Sequence, residues 1–227
     1  MIANALKGGY VQDGLVCWVD GILNQTETQG TIKDQTGTYS IAKAGGSNAS
    51  SSNNFIVVNG GAYNVPCGAL TDTNSYTISI TYRKRSNTNN GTHFMWSLLP
   101  FSTGQTPNGR ANIGYVNGNT KLRYYQATNV NNFYYADNPS VTDYNAHCID
   151  LVANGTSRKL YIDGVLTIDI TMTSTYQNNI PITIGGYSIS NACYIDMEMF
   201  SFRLYNRPIT ADEVLNNYNY DKSRFNI

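Results

Sequence analysis

Charged side chains are scarce in this chain of 227 residues. Asp, Glu, Lys and Arg make up 13% of the sequence, against roughly 25% in ordinary globular proteins. The surface must therefore be built largely from Asn, Ser, Thr, Gln and Tyr. Hydroxyl and amide side chains compete for backbone hydrogen bonds and favour strands and loops over helices. The composition argues against a helical protein.

An excess of positive charge is also lacking, because 15 Lys and Arg residues balance 15 Asp and Glu residues. Nucleic-acid binding draws much of its affinity from Lys and Arg on phosphates. The one basic cluster, Arg83-Lys84-Arg85, is interpreted as a solvated strand end. We expect no nucleic-acid partner.

Long apolar runs are missing as well. The first residues carry no basic stretch followed by an apolar run, so they do not resemble a secretory signal. No run of about 18 apolar residues occurs, which predicts no membrane insertion. We expect a protein that is made in a reducing cytoplasm.

The four cysteines, Cys17, Cys67, Cys148 and Cys193, lie far apart in the sequence. No Cys-x-x-Cys pair of the kind that binds zinc is present. We expect free thiols packed as small apolar groups. Disulfides are the alternative, and the missing export signal weighs against them.

Short alternating runs separated by Gly, Asn and Ser turns recur along the whole chain. The clearest is Ser75 to Arg85, in which Tyr76, Ile78, Ile80 and Tyr82 alternate with polar residues. A two-residue period is typical of a strand with one buried face. About a dozen such runs predict an all-β sandwich with Greek-key or jelly-roll connections.

One short helix is predicted near residues 210–218. Thr210 and Glu213 form a capping-box pattern, and Val214, Leu215 and Tyr218 then fall on one side. Residues 1–12 show no periodicity. We interpret them as a docking arm with Ile2 and Leu6 as its apolar contacts, and residues 13–227 as one sandwich domain.

Several segments together resemble the laminin-G-like group of the concanavalin A-like lectin/glucanase superfamily. The similarity covers nearly the whole chain beyond residue 12. The segments that carry it are Asp13–Gly21, Ala146–Gly155, Lys159–Leu166, Ile182–Gly186, Ser201–Thr210 and Asn217–Phe225. They are fold motifs, so the resemblance implies a two-sheet antiparallel jelly-roll sandwich more than any activity.

The opening strand and the tail are similar to stand-alone members met in phages and gut bacteria. That resemblance implies a lectin-like protein on a virion surface, such as a capsid or tail component, used for glycan binding or adhesion. The partners expected are other virion proteins, further copies of the chain, or cell-surface glycans. A purely structural decoration or linker protein is the alternative.

Glycoside hydrolysis is the more distant alternative. The superfamily's glucanases carry a Glu-x-Asp-x-x-Glu type of strand motif, whereas this chain has Tyr194 at the first position, followed by Asp196 and Glu198. Glycosidases need two carboxylates that flank the sugar bond. We expect no catalytic residues and no enzyme activity.

No organic cofactor is expected. Relatives use an aspartate near the closing strand to bind calcium, and this chain has Met197 and Phe200 in that region. A calcium ion held by Asp20, Asp163 and Asp196 stays an alternative to no metal.

Aromatic residues are the richest binding signal, since the chain has 18 tyrosines. Outward tyrosine rings suit sugar faces and protein interfaces alike, and packing inside the sandwich is the third alternative. The candidates for carbohydrate or partner contact are Trp96, Tyr124, Tyr125, Tyr134 and Tyr135.

Overall fold

The computed structural model of the protein describes residues 9–24, 31–46, 49–66, 74–86, 93–98, 111–116, 121–127, 133–138, 141, 143–172, 181–186 and 193–227. These residues form two antiparallel sheets of eight strands and a C-terminal helix, α1. The predicted jelly-roll sandwich with one C-terminal helix is confirmed.

The strands are β1 (Leu15–Asp20), β2 (Thr31–Lys33), β3 (Ser40–Gly46), β4 (Ser50–Ser51), β5 (Ile56–Asn59), β6 (Gly61–Val65), β7 (Ser75–Lys84), β8 (His93–Leu98), β9 (Ala111–Val116), β10 (Lys121–Ala127), β11 (Phe133–Asn138), β12 (Ala146–Asn154), β13 (Ser157–Ile162), β14 (Val165–Thr171), β15 (Ile182–Ile184) and β16 (Asp196–Tyr205). Sheet I has the order β14-β13-β12-β7-β16-β5-β4, and β1 also pairs with β16. Sheet II has the order β11-β10-β9-β8-β15-β6-β3-β2.

The core lies between the two sheets and follows the alternation that the sequence predicts. On β7, the side chains of Tyr76, Ile78, Ile80 and Tyr82 are fully buried in the main apolar cluster. The intervening hydroxyl residues of β7 lie on the outer face of sheet I. Each sheet thus has one apolar face in the core and one polar outer face.

Helix α1 (Ala211–Phe225) lies on the outer face of sheet I. Thr210 caps its first turn in the predicted capping box. Asn217, Asp221 and Phe225 are buried, and the Arg203 guanidinium donates to both carboxylate oxygens of Asp221 at 2.9 and 2.8 Å. The helix therefore covers the middle of this outer face, and it runs seven residues beyond the predicted end at 218.

Residues 9–12 pack against α1 instead of standing apart. Tyr10 is buried, its hydroxyl donates to the Asp221 carboxylate, and the Val11 N–H donates to Asn217 Oδ1 at 3.0 Å. The predicted arm of residues 1–12 is thus corrected at its last residues, because Tyr10 completes a polar cluster beneath the helix. Residues 1–8, with Ile2 and Leu6, lie outside the described residues, and the docking arm stays a prediction.

Three of the four cysteines lie in the described part of the chain. Cys17, Cys148 and Cys193 are free thiols, as predicted, and Cys67 falls outside the described residues. Burial raises the pKa of the Cys17 and Cys148 thiols well above the ordinary value. Among the helical residues described, no segment is long and apolar enough to cross a membrane.

Candidate functional site

Five polar or aromatic residues lie side by side across the outer face of sheet II. The strand registers pair Tyr125 with Asn112, Asn112 with Ser97, Ser97 with Thr183, and Thr183 with Asn64. We call Asn64, Ser97, Asn112, Tyr125 and Thr183 the central row. It crosses β6, β15, β8, β9 and β10, the middle of the sheet.

The neighbours of these residues along each strand show which way the row faces. Tyr63, Trp96, Ile113 and Ile184 are fully buried in the core cluster. Since successive side chains of a strand point to opposite faces, the central row points away from the core. The row lies on the opposite side of the sandwich from helix α1.

The floor of the row contains buried polar atoms whose hydrogen bonds are not all made. Ser97 and Thr183 are fully buried and Asn112 is 2% exposed. Thr183 Oγ1 donates to Asn64 Oδ1 at 3.3 Å. Within the described part of the chain, Ser97 Oγ and Asn112 Oδ1 have no partner. Both atoms are enclosed by other parts of the protein, so the floor of the row is not itself open to solvent.

A second row lies beside the first, and its charges are paired. Arg123 donates to Asp137 twice, from Nε at 2.5 Å and from a terminal nitrogen at 2.9 Å, and Lys121 Nζ lies 3.5 Å from the same carboxylate. The hydrogen bond from Arg123 lowers the pKa of Asp137 below its ordinary value, although partial burial opposes this. The carboxylate therefore holds both cations of β10.

Gly114 lies between Arg123 and Phe94 in this second row. A Cβ at this position would lie 2.0 Å from His93 O and 2.8 Å from Phe94 Cα. Strand β8 has a register shift between Phe94 and Trp96 that brings its backbone this close. Only glycine fits there, so the surface is flat between the aromatic and charged side chains.

Two of the predicted binding residues are placed in the core, which corrects the prediction for them. Trp96 is fully buried and Tyr124 is 1% exposed, and both belong to the main apolar cluster. The Tyr124 hydroxyl donates to Gln126 inside the sandwich. Neighbouring tyrosines on a strand point to opposite faces, so Tyr124 and Tyr125 cannot both face outward.

Of the remaining candidates, Tyr125 lies in the central row and is half-buried. The backbone of Tyr135 pairs with Tyr125, and that of Tyr134 pairs with Gln126. The side chains of Tyr134 and Tyr135 lie outside the described part of the structure, and their role stays a prediction.

The sequence predictions missed the four partners of Tyr125. Asn64, Ser97, Asn112 and Thr183 are small polar residues on four separate strands, and no local motif joins them. The available signal is a polar residue at an alternating position inside an apolar strand, as in Ile182-Thr183-Ile184. That signal marks the outer face of a strand but does not reveal its neighbours.

The carboxylate pair that suggested glycosidase chemistry lies on sheet I. Glu198 is held by Arg83, with an Nη2 to Oε2 distance of 2.5 Å, and Arg85 Nη1 lies 3.1 Å from Asp196. The Ser86 hydroxyl also donates to Asp196 at 2.9 Å. These contacts join β16 to the end of β7, and the pair does not lie on the face that carries the central row.

The three aspartates considered for calcium have separate partners. Asp20 is paired with Arg224 at 2.9 Å, and Asp163 accepts a hydrogen bond from His147 at 2.8 Å. Asp196 is held by Arg85. Among the described residues, no three His, Cys, Asp or Glu side chains are grouped to hold a metal ion.

Comparison with solved structures gives distant likenesses at the level of the fold. A Trypanosoma rangeli sialidase in complex with sialic acid has 15% identity and a TM-score of 0.71 over 90% of this chain, which spans 32% of the sialidase chain. The receptor binding domain of botulinum neurotoxin C/D mosaic serotype has 9% identity and a TM-score of 0.66 over 91% of this chain and 51% of its own. The binding domain of botulinum neurotoxin DC in complex with rat synaptotagmin II has 15% identity and a TM-score of 0.66, over 92% of this chain and 52% of its own.

The chain therefore spans about a third of the sialidase and about half of the toxin domains. No curated protein matches it by sequence. The laminin G model for the concanavalin A-like lectin/glucanases superfamily matches residues 58–215, which is more than half of the chain. The protein has a lectin-like fold and belongs to the concanavalin A-like lectin/glucanase superfamily.

Proposed function

We propose that this protein is a non-enzymatic lectin that binds a glycan at the Tyr125 end of the central row of sheet II. One observation carries the proposal: Tyr125 is partly exposed and lies at the end of a row of uncharged side chains on the outer face of the sheet. A tyrosine ring packs against the apolar face of a pyranose, and its hydroxyl can bond to sugar hydroxyls. Membership of a lectin superfamily supports the proposal.

The first test is a glycan array followed by calorimetric titration of the best glycan with wild type and Tyr125→Ala. We expect Tyr125→Ala to weaken binding about tenfold, which corresponds to about 1.4 kcal/mol. Tyr218→Ala is the matched control, since Tyr218 lies on α1 on the other side of the sandwich. Binding that is lost equally in both variants, or an array on which no glycan binds, would contradict the proposal.

The absence of catalysis is part of the proposal. Asp196 and Glu198 are engaged by arginines and lie away from the central row. We expect no sugar release from glycans that the protein binds. Release by wild type that disappears in the double variant Asp196→Ala, Glu198→Ala would identify a hydrolase instead.

The place of action rests on the sequence resemblance to stand-alone phage members. We propose that the protein is made in the host cytoplasm and acts on a virion surface, where it contacts other virion proteins or copies of itself and displays the central row to cell-surface glycans. Mass spectrometry of purified particles tests this directly. A chain found only in the cell lysate, and never in particles, would oppose it.

A further inference from the structure

A cavity of about 450 Å³ lies on the outer face of sheet I, at the point where α1 begins. It is lined by Val152 of β12, by Lys159 and Tyr161 of β13, and by Ile209 and Thr210 just before the helix. Val152 pairs with Lys159 in register, and alternate residues of β13 point to the same face of the sheet. Cavities of roughly 300–1,000 Å³ are typical of small-molecule sites, so this one is large enough for a small ligand.

The cavity is open to solvent. Asn154, Thr210 and Ala211 line it and are exposed, and Ser157 and Lys159 are half-exposed. A ligand can therefore enter between the turn that joins β12 to β13 and the first turn of α1.

Tyr161 supplies an unused hydroxyl to this cavity. The residue is 5% exposed, and its ring packs in an apolar cluster with Val152, Ile209 and Val214. Within the described part of the chain, the Tyr161 hydroxyl has no hydrogen-bond partner, and it is not one of the unpaired atoms that the protein encloses. The hydroxyl is therefore reachable from the cavity, and an oxygen of a ligand can satisfy it.

The first turn of α1 adds a backbone donor. Thr210 Oγ1 accepts from the Glu213 N–H at 3.2 Å, so that N–H is already used. Ala211 is the first residue of α1 and lines the cavity, and the N–H of a first helical residue has no acceptor inside its own helix. The positive end of the helix dipole lies at the same place. Both features favour a ligand oxygen that carries negative charge.

The charges around the cavity suit one negative charge on the ligand. Lys159 Nζ lies 3.7 Å from the Asp169 carboxylate, and the two side chains are 41% and 53% exposed. Such an exposed pair contributes little to stability, so the ammonium group is available to a ligand. Arg207 is committed to Glu213 by hydrogen bonds of 2.9 and 2.7 Å. Asp169 and the exposed Asp212 of the first helical turn oppose a second negative charge.

We infer that this cavity binds a small amphipathic monocarboxylate. The carboxylate accepts hydrogen bonds from the Lys159 ammonium, the Tyr161 hydroxyl and the first N–H of α1. The apolar body of the ligand packs against Val152 and Ile209. The cavity lies on the opposite side of the sandwich from Tyr125, so the inference does not depend on the proposed glycan binding.

The test is an NMR titration of the full isotope-labelled chain with matched probes. The carboxylates are benzoate, phenylacetate and hexanoate, and each is paired with its neutral amide. Inorganic phosphate serves as an anion without an apolar body. We expect at least one carboxylate to shift the amide signals of Ala211 and Tyr161. We expect that carboxylate to bind about fivefold or more tightly than its amide and than phosphate.

The variants Tyr161→Phe and Lys159→Gln each remove one donor and keep most of the side chain. We expect each to weaken binding of the carboxylate about fivefold to tenfold, the size of effect usual for one hydrogen bond to a charged group. Lys43→Gln, a change at an exposed lysine of β3 in sheet II, is the matched control. We expect it to leave the affinity within about twofold. Thermal unfolding shows whether each variant is folded.

Three results would overturn the inference. Amides or phosphate that bind as tightly as the carboxylates would show that the cavity does not select an amphipathic anion. Carboxylate binding that folded Tyr161→Phe and Lys159→Gln variants both retain in full would place the ligand elsewhere. Amide signals that no carboxylate shifts would show that the cavity does not bind this class. None of these results bears on glycan binding at Tyr125, which has its own test.

Discussion

At the residue scale, the Asp150 carboxyl is a titratable group enclosed in the protein interior. It lies fully buried on the outer face of sheet I, beneath α1. The Ser79 hydroxyl donates to it, and the Cys148 thiol donates to its other oxygen at 3.5 Å. Burial raises the pKa of Asp150 to about 6, although the nearby Arg203 charge opposes this.

This raised pKa predicts that the protein becomes less stable as the pH rises. The Asp150 contribution is fully present below the unfolded-state pKa, near 3.9, and is lost as the pH rises through about 6. We expect Asp150→Asn to remove roughly 2–3 kcal/mol of pH dependence between about pH 4 and pH 7.5. Urea unfolding at several pH values measures this pH dependence. Asp169→Asn, a change at an exposed aspartate, is the control.

The pKa of His147 is also raised, so its contribution to stability is likewise lost as the pH rises. The two contributions have to be separated. Burial alone lowers the pKa of His147, but hydrogen bonds to Asp163 and Asp143 at 2.8 and 2.9 Å outweigh it and raise the pKa. The comparison is therefore repeated in a His147→Gln chain. In that His147→Gln background, the free energy of unfolding is compared with and without the Asp150→Asn change. If both chains show the same pH dependence, Asp150 does not titrate as its buried site requires.

At the scale of elements, α1 is held at its start by local contacts. The Thr210 hydroxyl accepts from the Glu213 N–H at 3.2 Å, and the Glu213 carboxylate accepts from the Thr210 N–H at 2.8 Å. Arg207 donates to both oxygens of Glu213 at 2.9 and 2.7 Å, and this pairing lowers the pKa of Glu213 to about 2. The helix therefore begins at a charged and capped corner next to β16.

Removing the cap should cost a measurable part of the stability. We expect Thr210→Ala to lower the free energy of unfolding by about 1 kcal/mol, because the orphan N–H of Glu213 loses its acceptor. Thr171→Ala, at an exposed position of the edge strand β14, should change it by less than about 0.5 kcal/mol. Denaturant unfolding measures the free energy of unfolding of both variants. Equal losses in the two would show that the capping box does not stabilise α1.

At the scale of the whole molecule, the two ends of the described chain meet under α1. The Tyr10 ring lies edge-on to Trp18 and Tyr220, with centroid distances of 5.5 and 4.5 Å. The Arg203 guanidinium lies over the Tyr10 ring, 4.4 Å from the centroid of that ring. An N-terminal residue thereby joins sheet I to the C-terminal helix.

Two changes near the N-terminus should have different effects. We expect Tyr10→Ala to cost about 3 kcal/mol, since it empties a buried aromatic site. Deletion of residues 1–8 should leave stability nearly unchanged, because that stretch holds only one small apolar cluster. The same deletion should abolish incorporation into particles or oligomers if the docking arm is real. Unfolding curves measure the stability of both variants, and sedimentation measures the assembly of the deletion variant. A deletion variant that is unfolded would rule out a docking arm.

Much of the fold was predictable from local patterns. The alternation in β7 identified its buried face, and the Thr210 and Glu213 pair placed the start of α1. The helix end was not predictable, because residues 219–224 are polar or tyrosine and continue as helix through contacts of the helix with sheet I. Asn217 donates to the Tyr205 hydroxyl at 3.0 Å, and Asp221 pairs with Arg203. Packing thus overrides a weak local preference.

Less of the candidate site was predictable. Adjacent tyrosines such as Tyr124 and Tyr125 have identical chemistry, and alternation shows only that they face opposite ways. Which of them faces outward depends on where β10 pairs with β9, and that register follows from burial of whole strand faces. Trp96 was misplaced for the same reason, since the register shift in β8 lies beside it.

The all-β class, the start of the helix and the family could be predicted from the amino-acid sequence, because periodicity, caps and motifs act within a few neighbouring residues. The central row, the burial of Tyr10 and the end of α1 became visible in the folded chain alone. Each of these depends on pairing between segments far apart in the chain, from residue 64 to residue 183 for the central row. Such long-range register is set by the packing of two complete sheets, and no single segment encodes it.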